Sequence, residues 1–268
     1  MADNYDKIEI KKTELTDDKR KKTILNIVIA AALCIIAYGI WNMVSVQKEY
    51  KEARQEYENV RQSAGADMLE QADRKELPAI DLKSLQKENP DTIGWLYYPV
   101  LGINYPIMQD EDNTYYINHT FSGEKNAAGS LFMDSYGNEE FTDDNTYIFG
   151  HNMRDGSMFG HLKRIREADT VKENPYFWIY TENDWRTYQI FSYHDADADR
   201  KDVAFQIKFE NKQAFGQFIR SLEKKSEEKL DVKVKETDKI VSLATCTSDS
   251  SVRLVVHGVL VEENKKQS

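Results

Sequence analysis

The stretch KIVSLATCTSDSSVRLVVHGVL, residues 239–260, contains two apolar runs on either side of a short polar segment. Val, Ile and Leu dominate both runs, and Ser, Thr and Asp separate them, a pattern that predicts two β-strands joined by a turn. If the two strands pair as a hairpin, Cys246 at the end of the first lies beside Arg253 at the start of the second. The segment therefore predicts a β-rich fold, with a thiol and a guanidinium at one end of a sheet.

Similar apolar runs recur upstream, separated by clusters of Gly, Asn, Asp and Ser that are typical of turns. After an aromatic strand ending near residue 98, strands are predicted at 102–109, 129–134, 145–151, 176–181, 185–194, 203–209, 239–246 and 252–260. Roughly eight strands predict a closed barrel or a sandwich. Helices are expected after an N-cap at Asp81, and at 112–119, 158–168 and 211–230.

The N-terminal part of the chain predicts a membrane anchor. An uncharged apolar run extends from Ile24 to Val44, long enough for a helix that crosses a hydrocarbon core of about 30 Å. The basic cluster Lys19–Lys22 before it is typical of a cytoplasmic flank. We therefore expect a cytoplasmic segment 1–23, a single span 24–45 and an extracellular remainder. A cleaved signal peptide and a buried core helix are the alternatives.

Composition and charge divide the rest of the chain. Residues 46–76 are charged and helix-forming, and we expect them to form a helical stalk, with a folded domain at 77–262 and a tail at 263–268. The formal net charge of −10 argues against a nucleic-acid partner, which requires a basic face. The chain has no spacing typical of a metal site or a phosphate loop, so we expect neither a metal nor a cofactor.

Cys246 and one histidine are the candidate reactive groups. The chain has two cysteines, and the other, Cys34, lies inside the apolar run, so Cys246 is left without an intrachain partner. Such a thiol is reactive, forms an intermolecular disulfide, or is merely a buried small apolar residue. Of the five histidines, His151 follows an apolar strand and precedes a polar loop, where a proton-exchanging side chain is often placed.

Three features together resemble the sortases, the membrane-anchored cysteine transpeptidases of Gram-positive bacteria. These are the N-terminal apolar run, YIFGHNMRDGSMFGHL at 147–162, and SLATC followed by VRLVVHG. The phrase GHNMRDGSMFG and the long helix before the cysteine strand are similar to class B of that family. The resemblance implies an eight-stranded sortase-type β-barrel with Cys246 as nucleophile, His151 as general acid and base, and Arg253 as oxyanion stabiliser.

The resemblance also implies substrates and partners. The DNTYYINH segment is similar to a groove-lining helix of class B, which implies substrate contacts from Asn113 and Ile117, and Ala244 and Thr245 are expected in the groove wall. The implied reaction cleaves secreted proteins at a C-terminal sorting signal of the Pro-x-Thr type, after the threonine. A thioester on Cys246 then passes the protein to an amine of the peptidoglycan precursor, the lipid II cross-bridge.

Two other classes of function remain open at this point. One is a pilin-polymerising or hydrolytic thiol peptidase that uses the same residues. The other is a non-enzymatic, membrane-stalked β-domain that serves as an interaction protein, since a fold does not by itself determine a function.

Overall fold

The computed structural model describes residues 2–74, 76–182, 184–198, 203–246 and 251–265. Side chains are described from Arg20 onward within these ranges, apart from those of Val203, Cys246 and residues 264–265. The chain forms two compact units, Met1–Lys48 and Glu49–Ser268.

The first unit is helical. It belongs to helix α1, Ala2–Ser63, and its large apolar side chains between Ile24 and Val44 are exposed. Exposure of this face argues against a buried core helix. By length and composition the helix is able to cross a membrane, as a signal sequence also would be.

The second unit is built on a closed barrel of eight strands, as predicted. The strands are β1 Thr92–Tyr98, β2 Ile103–Met108, β3 Leu131–Met133, β4 Asn145–His151, β5 Tyr176–Tyr180, β6 Asp184–Asp197, β7 Ile240–Cys246 and β8 Val252–Lys265. Around the barrel they follow the order β1-β2-β3-β4-β7-β8-β6-β5. The pairs β2–β3 and β4–β7 are parallel and the others antiparallel.

Helices pack against the barrel through apolar faces. The short helix α2, Leu82–Glu88, begins at the predicted N-cap, where the Asp81 carboxylate accepts a hydrogen bond from the Ser84 amide. A single-turn helix α3 follows at Thr170–Glu173. Helix α4, Lys212–Lys225, buries the stripe predicted from its 3.6-residue period. Its buried apolar side chains are Phe215, Phe218, Ile219 and Leu222.

The predicted strand at 203–209 is wrong. This segment forms a single 3-10 turn, Val203–Phe205, followed by irregular backbone. The ring of Phe209 lies 4.8 Å and 4.9 Å from the rings of Phe215 and Phe218 on α4. Phe209 therefore packs against helix α4, although the alternation in this segment is typical of a half-buried strand.

Two predicted helices are shorter than expected. The segment 112–119 forms only the 3-10 turn Tyr115–Ile117. The Asp112 carboxylate caps its start by accepting hydrogen bonds from the amides of Thr114 and Tyr115, but the Thr120 amide donates to the Glu124 carbonyl, so the helix does not continue. The segment 158–168 forms only Leu162–Arg166. Met158 at its start has φ of 52°, which is incompatible with a right-handed helix.

The C-terminal part of α1, residues 49–63, packs against the barrel. Ala53, Tyr57 and Val60 are buried at i, i+4 and i+7, so one face of the helix from Glu49 belongs to the compact unit. Gly65, with φ of 72°, ends this packing helix and leads into a 3-10 helix, Ala66–Gln71. The segment predicted as a stalk therefore contributes to the core, and the compact unit begins before the predicted start at Leu77.

A buried polar network links the strands β4, β7 and β8. The Ser242 hydroxyl donates to Asn145 Oδ1 at 2.8 Å, and it lies 2.7 Å from His257 Nδ1, which therefore donates to it. The His257 ring stacks on His194, with their centroids 5.3 Å apart. Burial, with the nearby His194 and Lys225, holds the pKa of His257 well below its ordinary value of 6.5.

Candidate active site

The parallel pairing of β4 and β7 brings His151 and Cys246 together. The register runs from Asn145 opposite Ile240 to His151 opposite Cys246, so the two residues end neighbouring strands at the same edge. Paired residues of neighbouring strands project to the same face of a sheet. The side chain of Cys246 lies outside the described part of the structure, and only the backbone of β7 places this residue.

Strand β8 brings Arg253 to the same edge. It pairs with β7 in antiparallel register, with Ala244 opposite Val255. Continuing this register by two residues sets Cys246 opposite Arg253, as the hairpin prediction requires. The ends of β4 and β7 and the beginning of β8 thus present an imidazole, a thiol position and a guanidinium side by side.

His151 and Arg253 line a small cleft together with two of the four residues predicted to bind substrate. The cleft has a volume of about 70 Å³, and its walls include Asn113, Ile117, Phe132, Phe149, His151 and Arg253. The residues that the family resemblance assigns to one site are as much as 140 positions apart in the chain, from Asn113 to Arg253. Their arrangement fits a narrow site in which an extended peptide meets the edge of the sheet.

A larger cavity of about 320 Å³ adjoins the cleft and shares Phe149 and Arg253 with it. Its other walls include Tyr136, Tyr147, Phe205 and Ile207, so it is largely aromatic and apolar. The guanidinium carbon of Arg253 lies 5.8 Å from the ring centroid of Phe149 and 6.0 Å from that of Phe205. These rings hold the cation between the two cavities.

A main-chain carbonyl orients the imidazole of His151. Nε2 lies 2.5 Å from the carbonyl oxygen of Ile117. Because a carbonyl oxygen only accepts hydrogen bonds, Nε2 carries a proton and donates it to this contact. In the neutral ring Nδ1 is then the basic nitrogen, and the contact fixes both the tautomer and the ring direction.

Glycine is required immediately before this histidine. A Cβ atom at Gly150 would lie 2.4 Å from Cδ2 of Leu131 and 2.8 Å from Cδ2 of Phe159. The close packing is made by the loop that follows β4, which returns so that the Phe159 amide donates to the His151 carbonyl at 2.9 Å. The backbone of His151 is thus fixed on both sides.

The other predicted site residues differ in what they contact. Asn113 donates from Nδ2 to Asp134 at 3.0 Å and accepts from the Ser135 amide at 2.8 Å, so its amide holds the turn after β3. Ala244 and Thr245 are buried, with exposed fractions of 0% and 2%. Substrate binding by Asn113, Ile117, Ala244 and Thr245 stays a prediction.

The sequence prediction does not include the aromatic residues around Arg253. Phe149 shares a face with His151, because residues two apart in a strand project to the same side. Its place two residues before His151 in the predicted strand NTYIFGH could therefore have identified it. Phe205 carries no such signal, since its segment is predicted as a strand. The Ile117 carbonyl is a main-chain group, and no residue type in the sequence indicates its role.

Comparisons with known proteins agree with this geometry. A model of the sortase domain family matches residues 96–261. Sortase B of Listeria monocytogenes is 35% identical over 184 residues, which cover 68% of this chain and 74% of that protein. Sortase B of Staphylococcus aureus is 29% identical over 247 residues, which cover 91% and 98%.

Solved structures of sortase B share the fold. The X-ray structure of Clostridium perfringens sortase B aligns with a TM-score of 0.65 at 32% identity, covering 68% of this chain and 100% of that one. A Staphylococcus aureus sortase B–substrate complex aligns with a TM-score of 0.71 at 28% identity, covering 80% and 99%. Because sequence and architecture both agree, the chain belongs to class B of the sortase family of cysteine transpeptidases.

Proposed function

We propose that this sortase cleaves a Pro-x-Thr-type sorting signal after its threonine and transfers the protein to an amine of the peptidoglycan precursor. In this proposal Cys246 is the nucleophile, His151 the general acid and base, and Arg253 the oxyanion stabiliser. The observation that carries the proposal is the register that pairs His151 with Cys246 and leads Arg253 to the same edge.

The proposed first half-reaction forms a thioester. The Cys246 thiolate attacks the threonine carbonyl carbon, and the negative charge on the carbonyl oxygen is stabilised by hydrogen bonds from the Arg253 guanidinium. The carbon–nitrogen bond then breaks as the His151 imidazolium protonates the departing amine. The products are an acyl group on the sulfur, a free amine and a neutral imidazole.

The second half-reaction reverses these roles. An incoming amine attacks the thioester, His151 accepts a proton from it, and the thiolate leaves as the new amide forms. Because the Ile117 carbonyl accepts a hydrogen bond from Nε2, the proton exchanged with the two amines is carried on Nδ1. No proton is gained or lost over the cycle, so the imidazolium–thiolate pair is restored.

The adjoining cavities support peptide binding. The narrow cleft fits the residues next to the cleaved bond, while the aromatic cavity beyond Phe149 accommodates a bulkier part of a substrate. We propose that Asn113 and Ile117 contact the signal, with Ala244 and Thr245 shaping the groove through the backbone of β7. The similarity to a sortase B–substrate complex supports the binding of a substrate by this enzyme.

The proposed substrates indicate on which side of the cell membrane the enzyme acts. Secreted proteins with a C-terminal sorting signal and a lipid II cross-bridge amine both meet outside the cell membrane. We propose that the apolar segment of α1 anchors the enzyme as a single span, with the N-terminus in the cytoplasm and the second unit outside. The apolar composition of that helix and the basic residues before it support this topology.

The test is mass spectrometry of the acyl-enzyme. The full chain in detergent is incubated with a library of Pro-x-Thr peptides, and a covalent adduct is expected on Cys246, with a mass that reports the preferred motif. Cys246→Ala should form no adduct and release no amine. Cleavage retained by that variant would refute the proposed mechanism.

Product analysis separates the related activities. With an added cross-bridge amine, the amide product should dominate over the hydrolysed acid. If the acid dominates at saturating amine, the enzyme is a hydrolase. If a lysine side chain of a second protein substrate is the preferred acceptor, it is a polymerising enzyme.

A further inference from the structure

We propose that Tyr57, on the helical segment 49–63, is a positioning residue for the imidazole of His151. The proposal rests on the acid–base role proposed above for this histidine. It assigns a function to a segment that the sequence predicts only as a stalk. Three successive contacts lead from the helix to the ring.

The first contact is a buried hydrogen bond from the helix to a loop. The Tyr57 hydroxyl donates to the Gly129 carbonyl at 2.7 Å and lies 2.9 Å from Oγ of Ser130. Only 2% of Tyr57 is exposed, and burial raises the pKa of its phenol, so the hydroxyl stays a neutral donor. Its ring also meets the Tyr105 ring edge-on at 5.3 Å.

The second contact joins residues 129–130 to the 3-10 turn at 115–117. The Ser130 amide donates to the Tyr116 carbonyl at 3.0 Å. Gly129, with φ of 57°, packs so closely that a Cβ atom would lie 2.5 Å from the Ile117 carbonyl oxygen. A shift of Gly129 towards the Ile117 carbonyl would therefore displace that carbonyl as well.

The third contact is the one that orients the catalytic ring. The Ile117 carbonyl accepts the hydrogen bond from His151 Nε2. A general base needs such a third group to fix its tautomer and direction. Here the third group is a peptide carbonyl, whose position is set by Gly129 and, through Gly129, by Tyr57.

Other contacts hold the same loop on the same helix. The Glu56 carboxylate accepts from the Ser122 amide at 2.8 Å, and Nδ2 of Asn126 donates to the Glu49 carbonyl at 3.0 Å. The helix therefore grips the loop 118–130 at several points along its length. This extended contact makes the segment a brace for the loop, with the Tyr57 contact nearest to the catalytic ring.

The test combines kinetics with a direct measurement of the ring. Tyr57→Phe removes the hydroxyl and keeps the buried ring. We expect kcat for transpeptidation to fall about tenfold, because a small displacement of a catalytic group is costly, while KM changes little. We also expect the apparent pKa of the acidic limb of the kcat/KM profile to fall, since a weaker carbonyl contact favours the imidazolium less.

The ring itself is observed by nitrogen NMR of the full chain in detergent micelles, labelled at histidine. The signals of His151 are assigned by comparison with His151→Gln. At a pH high enough for the His151 ring to be neutral, the Nε2–H tautomer should dominate in the parent chain, and its share should fall in Tyr57→Phe. Ser130→Ala, which removes the neighbouring hydroxyl, should shift the tautomer ratio in the same direction but less.

The matched control is Tyr97→Phe. Tyr97 is also a buried tyrosine, and its hydroxyl donates to the Leu69 carbonyl at 2.9 Å, so it ties the same N-terminal region to the barrel. It has no part in the three contacts described above. We expect a similar change in the unfolding temperature, but no change in the acidic limb or in the tautomer ratio of His151.

The outcomes separate the two proposals. If Tyr57→Phe leaves the His151 tautomer ratio as in the parent chain, the positioning role is wrong, whatever happens to activity. Equal effects of Tyr57→Phe and Tyr97→Phe on the ring would also overturn it. If the ratio shifts while transpeptidation is unchanged, Tyr57 does position the ring, and the acid–base role of His151 is wrong.

Discussion

Arg253 offers the sharpest test of the oxyanion role, through the substitution Arg253→Lys. Lysine keeps the positive charge but replaces a planar fork of donors with a point charge on a flexible stem. Loss of one oxyanion donor typically lowers kcat by about 10²–10³-fold, or about 2.7–4 kcal/mol. Because the lysine ammonium retains some attraction for the oxyanion, we expect the lower end of that range, about 10²-fold.

The structure allows the effect on stability to be estimated separately. The guanidinium contacts two aromatic rings, at 5.8 Å and 6.0 Å from their centroids. Each such contact contributes about 0.5–1 kcal/mol at a half-exposed site, so at most about 1–2 kcal/mol is lost. A domain is typically stable by about 5–15 kcal/mol, so the Arg253→Lys chain should stay folded. A hundredfold loss in kcat would therefore not arise from unfolding.

The assay measures the acylation step and the complete reaction. Rapid quenching and mass spectrometry report the rate of thioester formation with a Pro-x-Thr peptide, and steady-state kinetics report kcat and KM. Phe205→Leu is the control, because it removes one ring and leaves the guanidinium, and a loss of less than tenfold is expected. If Arg253→Lys raises only KM and leaves kcat within twofold, Arg253 binds the ground state and the oxyanion assignment is refuted.

Two further predictions concern stability. Folding depresses the pKa of His257. As the pH falls below 6.5, the unfolded chain therefore binds a proton at this histidine, whereas the folded chain does not. The free energy of unfolding should therefore decline by up to about 1.4 kcal/mol per pH unit below pH 6.5. The variant His257→Asn keeps a donor for Ser242 but cannot titrate, so denaturant titrations should show a weaker decline. An unaltered pH dependence in this variant would contradict the prediction. A fragment 77–268 lacks the buried side chains of residues 49–76, whose burial contributes about 5–9 kcal/mol to stability. It should therefore unfold far below the melting temperature of a fragment 49–268. Equal melting temperatures would show that the helix adds nothing to the stability of the domain.

Local patterns predict the strands that carry the proposed catalytic residues. In NTYIFGH and IVSLATC, apolar and β-branched residues follow one another and a polar segment comes next, and the observed strands Asn145–His151 and Ile240–Cys246 end where predicted. A strand end is a local property, because it depends on the neighbouring turn residues. This is why the sequence alone places the proposed catalytic residues His151 and Cys246 at strand ends.

Pairing between distant segments could not be derived in the same way. The sequence predicts the hairpin of β7 and β8, but it carries no signal that β4 lies parallel to β7 with nearly a hundred residues between them. A parallel pair needs a crossover, and its partner is chosen by the packing of the whole barrel. At the level of the sequence, only the family resemblance connects His151 with Cys246. In the structure, the parallel register of β4 and β7 is the physical basis of that connection.

The N-terminal helix shows how a functional contact escapes notice in a sequence. Its buried stripe consists of two larger residues between two alanines, Ala53, Tyr57, Val60 and Ala64, and a count of bulky apolar positions underestimates it. Alanine is nevertheless what allows a helix to approach a barrel closely, because it presents no side chain beyond Cβ. Close approach in turn brings the Tyr57 hydroxyl within hydrogen-bonding distance of the Gly129 carbonyl. The charged residues around this stripe make the segment resemble a solvated stalk. Its small residues nevertheless allow it to brace the loop 118–130, which packs through Gly129 against the Ile117 carbonyl that orients His151.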